Sequence, residues 1–110
     1  MERDVEQENA KGQRVYLSGP MTGVPGLNFP AFNRAAADLR ERGYEVVNPA
    51  EINPDESMPW EQCMREDIKA LCDCDVIALL PGWMSSKGAH LELHVAHRIG
   101  LKVKLLEDML

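Results

Sequence analysis

No block of lysine and arginine occurs in these 110 residues, and the formal net charge is −6 with a pI near 5.0. That balance excludes an electrostatic grip on a nucleic-acid backbone as the expected mode of action, so a small anionic ligand has to find local donors. Long apolar runs are missing as well. Val76 to Pro81 is among the longest, far below the roughly 20 residues that span a bilayer. The amino terminus carries no signal-type apolar segment, so a cytoplasmic protein with no membrane partner is expected. Cysteine is confined to Cys63, Cys72 and Cys74. An odd number without secretory context argues against a disulfide framework, and the lone C-x-C of Cys72 and Cys74 has no second pair to complete a zinc site. Buried, inert thiols are expected. No internal repeat or low-complexity tract breaks the chain, whose length suits one compact domain.

The order of patterns along that domain is regular. Met1 to Gly12 is dense in charge with a single valine, and is expected to be a disordered tail before a domain over 13–110. "RVYLSG" reads as a strand running into the Gly/Pro-rich loop "GPMTGVPG". "NFPAFNRAAADLRERG" follows as a helix with Phe32, Ala35, Ala36 and Leu39 on its inner stripe and Gly43 as its stop. "YEVVNP" is a second strand, "AEINPDESMP" a loop, and "WEQCMREDIKALCDC" a helix with Trp60, Met64, Ile68 and Leu71 at helical spacing. "DVIALLPGW" shows no alternation, which suits a strand covered on both faces. A third helix and the strand "LKVKLLE" complete βαβαβαβ. This is the pattern of an α/β sandwich with a parallel sheet of four to five strands between helices.

Two carboxylates stand out because they interrupt apolar stripes. In "SSKGAHLELHVAHRIG" the face made by Gly88, Ala89, Val95, Ala96 and Ile99 also contains Glu92, and in the preceding helix Asp67 shares the stripe of Met64 and Leu71. Burying an unpaired charge costs several kcal/mol, roughly, so such a group is protonated, paired or used. For Asp67 the plain alternative is an ion pair with Arg65 or Lys69. Small neighbours around Glu92 leave room for a ligand, and paired carboxylates suit glycosidic chemistry, in which one attacks the anomeric carbon.

In parallel sheets ligands gather beyond the carboxyl ends of the strands. Ser18, Gly19, Pro20, Met21, Thr22 and Gly23 follow the first strand, and Gly82, Trp83, Ser85, Ser86, Gly88 and Ala89 follow the third. These are the candidate substrate-binding residues. Ser85 and Ser86 precede a helix and suit a phosphate or carboxylate, although a serine there is equally a simple cap. His90, His94 and His97 project away from the Glu92 stripe, and "HLELH" does not match H-E-x-x-H. Neither metal nor cofactor is expected.

Together "VYLSGPMTG", "DIKALCDCDVIALLPGW" and "SSKGAHLELHVAHRIGLKV" resemble the nucleoside 2-deoxyribosyltransferase superfamily from Val15 to Val103. The likeness is closest to a branch of small, often phage-encoded proteins that share "YLSGPMTG" and "LPGW". It implies a flavodoxin-like, Rossmann-like three-layer fold and a covalent glycosyl-enzyme with Glu92 as nucleophile. It further implies that Tyr16 orients Glu92, that Asp67 holds or protonates the departing base, and that the chain works as a homo-oligomer on a nucleoside or nucleotide. Ser86 departs from the transferases, which carry aspartate six residues before the nucleophile. It matches the related 2′-deoxynucleoside 5′-monophosphate N-hydrolases, which carry serine for the phosphate. Pro20 stands where those hydrolases have a further serine, so phosphate binding there draws on Thr22 or backbone amides. N-hydrolase and deoxyribosyltransferase are the expected activities; a non-catalytic nucleotide-binding or sensing module of the same fold is the alternative.

Overall fold

A computed structural model describes residues 12–110. The tail expected over Met1 to Gly12 therefore lies, except for exposed Gly12, outside the described residues. The chain runs β1 (Arg14–Ser18), α1 (Phe29–Glu41), β2 (Glu45–Val47), α2 (Pro49–Ile52), α3 (Trp60–Leu71), β3 (Val76–Leu79), α4 (Lys87–Arg98) and β4 (Lys102–Leu105). Short 3-10 turns lie at Pro25–Asn28, Trp83–Ser85 and Leu106–Asp108. The four strands are parallel in the order β2-β1-β3-β4. This is the expected flavodoxin-like sandwich, with four strands.

Strand periodicity divides the interior into two layers. Side chains alternate across a sheet, so Val15 and Leu17 of β1 join Val76 and Ala78 of β3 against Phe32, Ala35, Ala36 and Leu39 of α1. Tyr16 faces the other way, into a cluster with Leu71 of α3, Ile77 and Leu79 of β3, and Ala96 of α4. β3 is buried along its whole length, as its unbroken apolar run requires. Helix α1 ends where expected, at Gly43, whose φ of +93° is the left-handed conformation that a glycine adopts without a Cβ penalty.

Three local expectations need correction. "AEINPDESMP" is not loop throughout, because Asn48 accepts from the amide of Ala50 and Pro49 sits in the first turn, so α2 forms behind this cap. Ile99, placed on the inner stripe of α4, is the residue just beyond the helix and is 51% exposed. Cys72 is exposed rather than buried, since it closes α3 at the surface. β4 is an edge strand with all four residues exposed, because only β3 pairs with it.

Candidate active site

The sheet grows outward in both directions from β1 and β3, and the crevice above such a switch point is where doubly wound folds bind ligands. Here the backbones come unusually close. A Cβ on Gly19 would lie 2.8 Å from Cβ of Leu80, so only glycine lets the chain leave β1 beside the end of β3. The two loops beyond are tied together: Ser86 Oγ donates to the carbonyl of Gly19 at 3.3 Å, and Pro20 lies against Gly82.

Beneath these loops Glu92 is 5% exposed. Tyr16 and Ser18, two residues apart on β1, project to the same side of the sheet and meet one carboxylate. The Tyr16 hydroxyl donates to Oε2 at 2.5 Å and the Ser18 hydroxyl to Oε1 at 2.6 Å. The glutamate is thus clamped from the sheet while its backbone rides on α4. Burial pushes its pKa up to about 7; the two hydroxyls pull it down, and Asp67 pushes it up further. Tyr16 is held well above the ordinary phenol value, by burial first and then by the charge of Glu92.

Asp67 lies on the inner face of α3 at 6% exposure, and burial raises its carboxyl to about 7 as well. It makes no ion pair with Arg65 or Lys69, and Lys69 instead reaches Glu66 at 3.4 Å. Its partner is Asn53, whose Nδ2 donates to Oδ1 at 3.1 Å. Asn53 escaped the sequence reading. The second Asn-Pro pair in "NPAEINP" was the available signal, marking a turn that returns the chain to α3. Ser18 also differs from expectation: it closes β1 rather than lining the loop, and its hydroxyl serves Glu92. The two-residue strand period pointed to that.

The other candidates divide. Ser86 caps α4, accepting from the amide of Ala89 at 3.1 Å. Ser85 donates to the carbonyl of Gly82 within its own turn. Trp83 is half-buried against the core layer of Tyr16, Ile77 and Leu79 and tilts against the His90 ring, with centroids 5.4 Å apart. Thr22 and Gly23 are exposed, Pro20 is half-buried, and Met21 packs on the α1 side of the sheet, away from Glu92. The space left by Gly88 faces Met64 and Trp60, so it permits close packing of α3 on α4 instead of ligand room. Ala89 is 1% exposed and leaves none. Among the described residues no three His, Cys, Asp or Glu side chains stand together to hold a metal ion, and no helix is long and apolar enough to cross a membrane.

The doubly wound parallel sheet is the nucleoside 2-deoxyribosyltransferase-like fold. Within that superfamily the chain belongs to the family described as "Domain of unknown function (DUF4406)", whose model matches residues 13–105. Among solved structures it is similar to the Clostridium botulinum CMP N-glycosidase BcmB. The TM-score is 0.57 and the identity 27%, over 84% of this chain and 67% of that one. No curated protein matches the sequence.

Proposed function

We propose that this chain cleaves the N-glycosidic bond of a nucleotide through a glycosyl ester on Glu92. The observation that carries the reading is the clamped, buried Glu92 beside a second buried carboxyl, Asp67. Glu92 in its ionised form attacks C1′, the bond to the base nitrogen breaks with its electron pair leaving on the base, and Asp67 supplies the proton that the base takes up. Water then attacks C1′, Asp67 recovers a proton from it, and Glu92 departs as carboxylate. A second base in place of water makes the same cycle a transfer. Both hydroxyls of the clamp hold Glu92 in the attacking orientation.

The similar structure of a CMP N-glycosidase supports this reading, as does Ser86 at the start of α4. The bond from Ser86 to Gly19 is long at 3.3 Å and is readily exchanged for one to a phosphate oxygen. Ser86→Ala is expected to weaken binding of 5′-monophosphates by about 1.5–3 kcal/mol, the range for hydrogen bonds to charged groups, with nucleosides nearly unaffected. The same variant loses about 1 kcal/mol of stability with its cap. Equal weakening for both ligand types in calorimetric titration contradicts phosphate contact.

A homo-oligomer completes the proposal. Val103 and Leu105 of the edge strand are 43% and 38% exposed, beside Trp83 and Leu93 in a groove of about 480 Å³. A second copy covering this edge removes the open hydrogen-bonding side of β4 and leaves β2 as the remaining edge. A monomeric mass by light scattering at micromolar concentration contradicts it.

The test of the activity is direct. The protein is incubated with ribo- and deoxyribonucleosides and their 5′-monophosphates, and free base is sought by chromatography. Base from monophosphates supports the proposal, whereas binding without base release favours the sensing module.

A further inference from the structure

Asn53 and Asp67 are each more than nine-tenths buried, at 8% and 6% exposure, yet each keeps one oxygen without a partner among the described residues. Asn53 Nδ2 donates to Asp67 Oδ1, which leaves Asn53 Oδ1 turned away from the aspartate. Among the described residues every side-chain nitrogen or oxygen shut off from solvent has a partner. The two free oxygens, Asn53 Oδ1 and Asp67 Oδ2, are therefore the polar atoms this pair still offers to solvent. Asp67 stands close enough to Glu92 and Tyr16 for its charge to raise the pKa of both.

We propose that Asn53 and Asp67 read the edge of the departing base and select one that presents an exocyclic amine beside an unprotonated ring nitrogen. The proposal rests on the N-glycosidase reading and names its substrate class. Asn53 Oδ1 accepts from the amine. Asp67 in its acid form carries its proton on Oδ2, because Oδ1 is occupied by Asn53, and donates it to the ring nitrogen. Cytosine and adenine both carry this edge. Uracil and hypoxanthine present the reverse, a carbonyl against the Asn53 oxygen and an N–H against the Asp67 hydroxyl, so two donor–acceptor matches become two conflicts. Sites built on hydrogen bonds reject such mismatches strongly, because the buried partners are left unpaired. The pair also couples recognition to departure, since the proton that reads the ring nitrogen is the one the leaving base takes up.

The experiment compares CMP with UMP and AMP with IMP at pH 7. The expected result is a preference of about 100-fold or more in kcat/KM for the amino member of whichever pair reacts. Asn53→Ala should collapse that ratio to within about tenfold, chiefly by slowing the amino substrate. Equal rates within a pair for the wild type, or an unchanged ratio in Asn53→Ala, overturns the proposal. If that variant does not fold, 2-pyrimidinone riboside 5′-monophosphate, which is CMP without its amine, makes the test on the unaltered protein. Turnover equal to that of CMP overturns the proposal; a fall of about tenfold or more supports it. If no nucleotide releases base, the glycosidase reading fails separately, and equilibrium titration of CMP against UMP decides base selection: equal affinity overturns it, tighter CMP binding supports it.

Discussion

Glu92→Gln is expected to fold, to bind nucleotide, and to lose about 10⁴-fold or more of its base-releasing activity, the scale on which enzymes lose rate with their nucleophile. The amide keeps the size of the glutamate and still finds Tyr16 and Ser18, whose hydroxyls accept as well as donate. It does not attack C1′ or balance positive charge on the sugar. Stability moves in the opposite direction. The Glu92 pKa rises from 4.5 to about 7 on folding, so the folded state holds a proton that the unfolded chain has released. The associated stability is present below about pH 4.5 and is lost as pH rises through 7, an effect on the order of 3 kcal/mol at about 1.4 kcal/mol per unit. Glu92→Gln removes this contribution to the slope, so its advantage over the wild type grows from pH 5 to pH 8. Thermal unfolding at several pH values, read beside turnover, separates the two roles. A variant that keeps near-normal turnover, or one that unfolds, overturns the nucleophile assignment.

Asp67→Asn is expected to reduce turnover by about 10²–10⁴-fold, the usual contribution of a positioned acid. Its diagnostic is the pH profile. Glu92 must be ionised and Asp67 protonated for the first step, and both titrate near 7. The wild type should therefore show a narrow bell near neutrality, whose limbs belong to the coupled pair. Asparagine has no proton to lose, so the alkaline limb disappears and the residual rate reaches a plateau. A nitrophenyl glycoside 5′-phosphate, whose leaving group needs no proton, should give Asp67→Asn a first-turnover burst of nitrophenol at close to the wild-type rate, with later turnovers slowed because the attack of water still lacks its base. An alkaline limb that stays in place, or no burst with that substrate, assigns the proton to another group.

Much of this architecture was readable because burial imposes periodicity. Phe32, Ala35, Ala36 and Leu39 mark the inner face of α1, and unbroken Val76–Leu79 marks a central strand. Glu92 was conspicuous for the same reason, as a charge in a small-residue stripe. What stayed hidden depends on groups far apart in the chain. Ser18 and Glu92 are 74 residues apart and Asn53 and Asp67 are 14, and neither bond has a local signature. Asn48 and Pro49 did carry a helix-start signal, but a four-residue helix is too short for a period to show. Ile99 continues the α4 period past the point where the helix stops.

The clamp on Glu92 has a kinetic meaning. β1 pairs with β3 along Val15–Ser18 and with β2 along Arg14–Tyr16, so Tyr16 lies between two strands and Ser18 beside one, in the part of the protein expected to open last. The loops over the crevice, with Thr22, Gly23, Gly82 and Met84 at the surface, have few such ties. In the proposed cycle the orientational entropy of the Glu92 carboxylate is lost once, when the chain folds, and each turnover begins from a carboxylate already aligned.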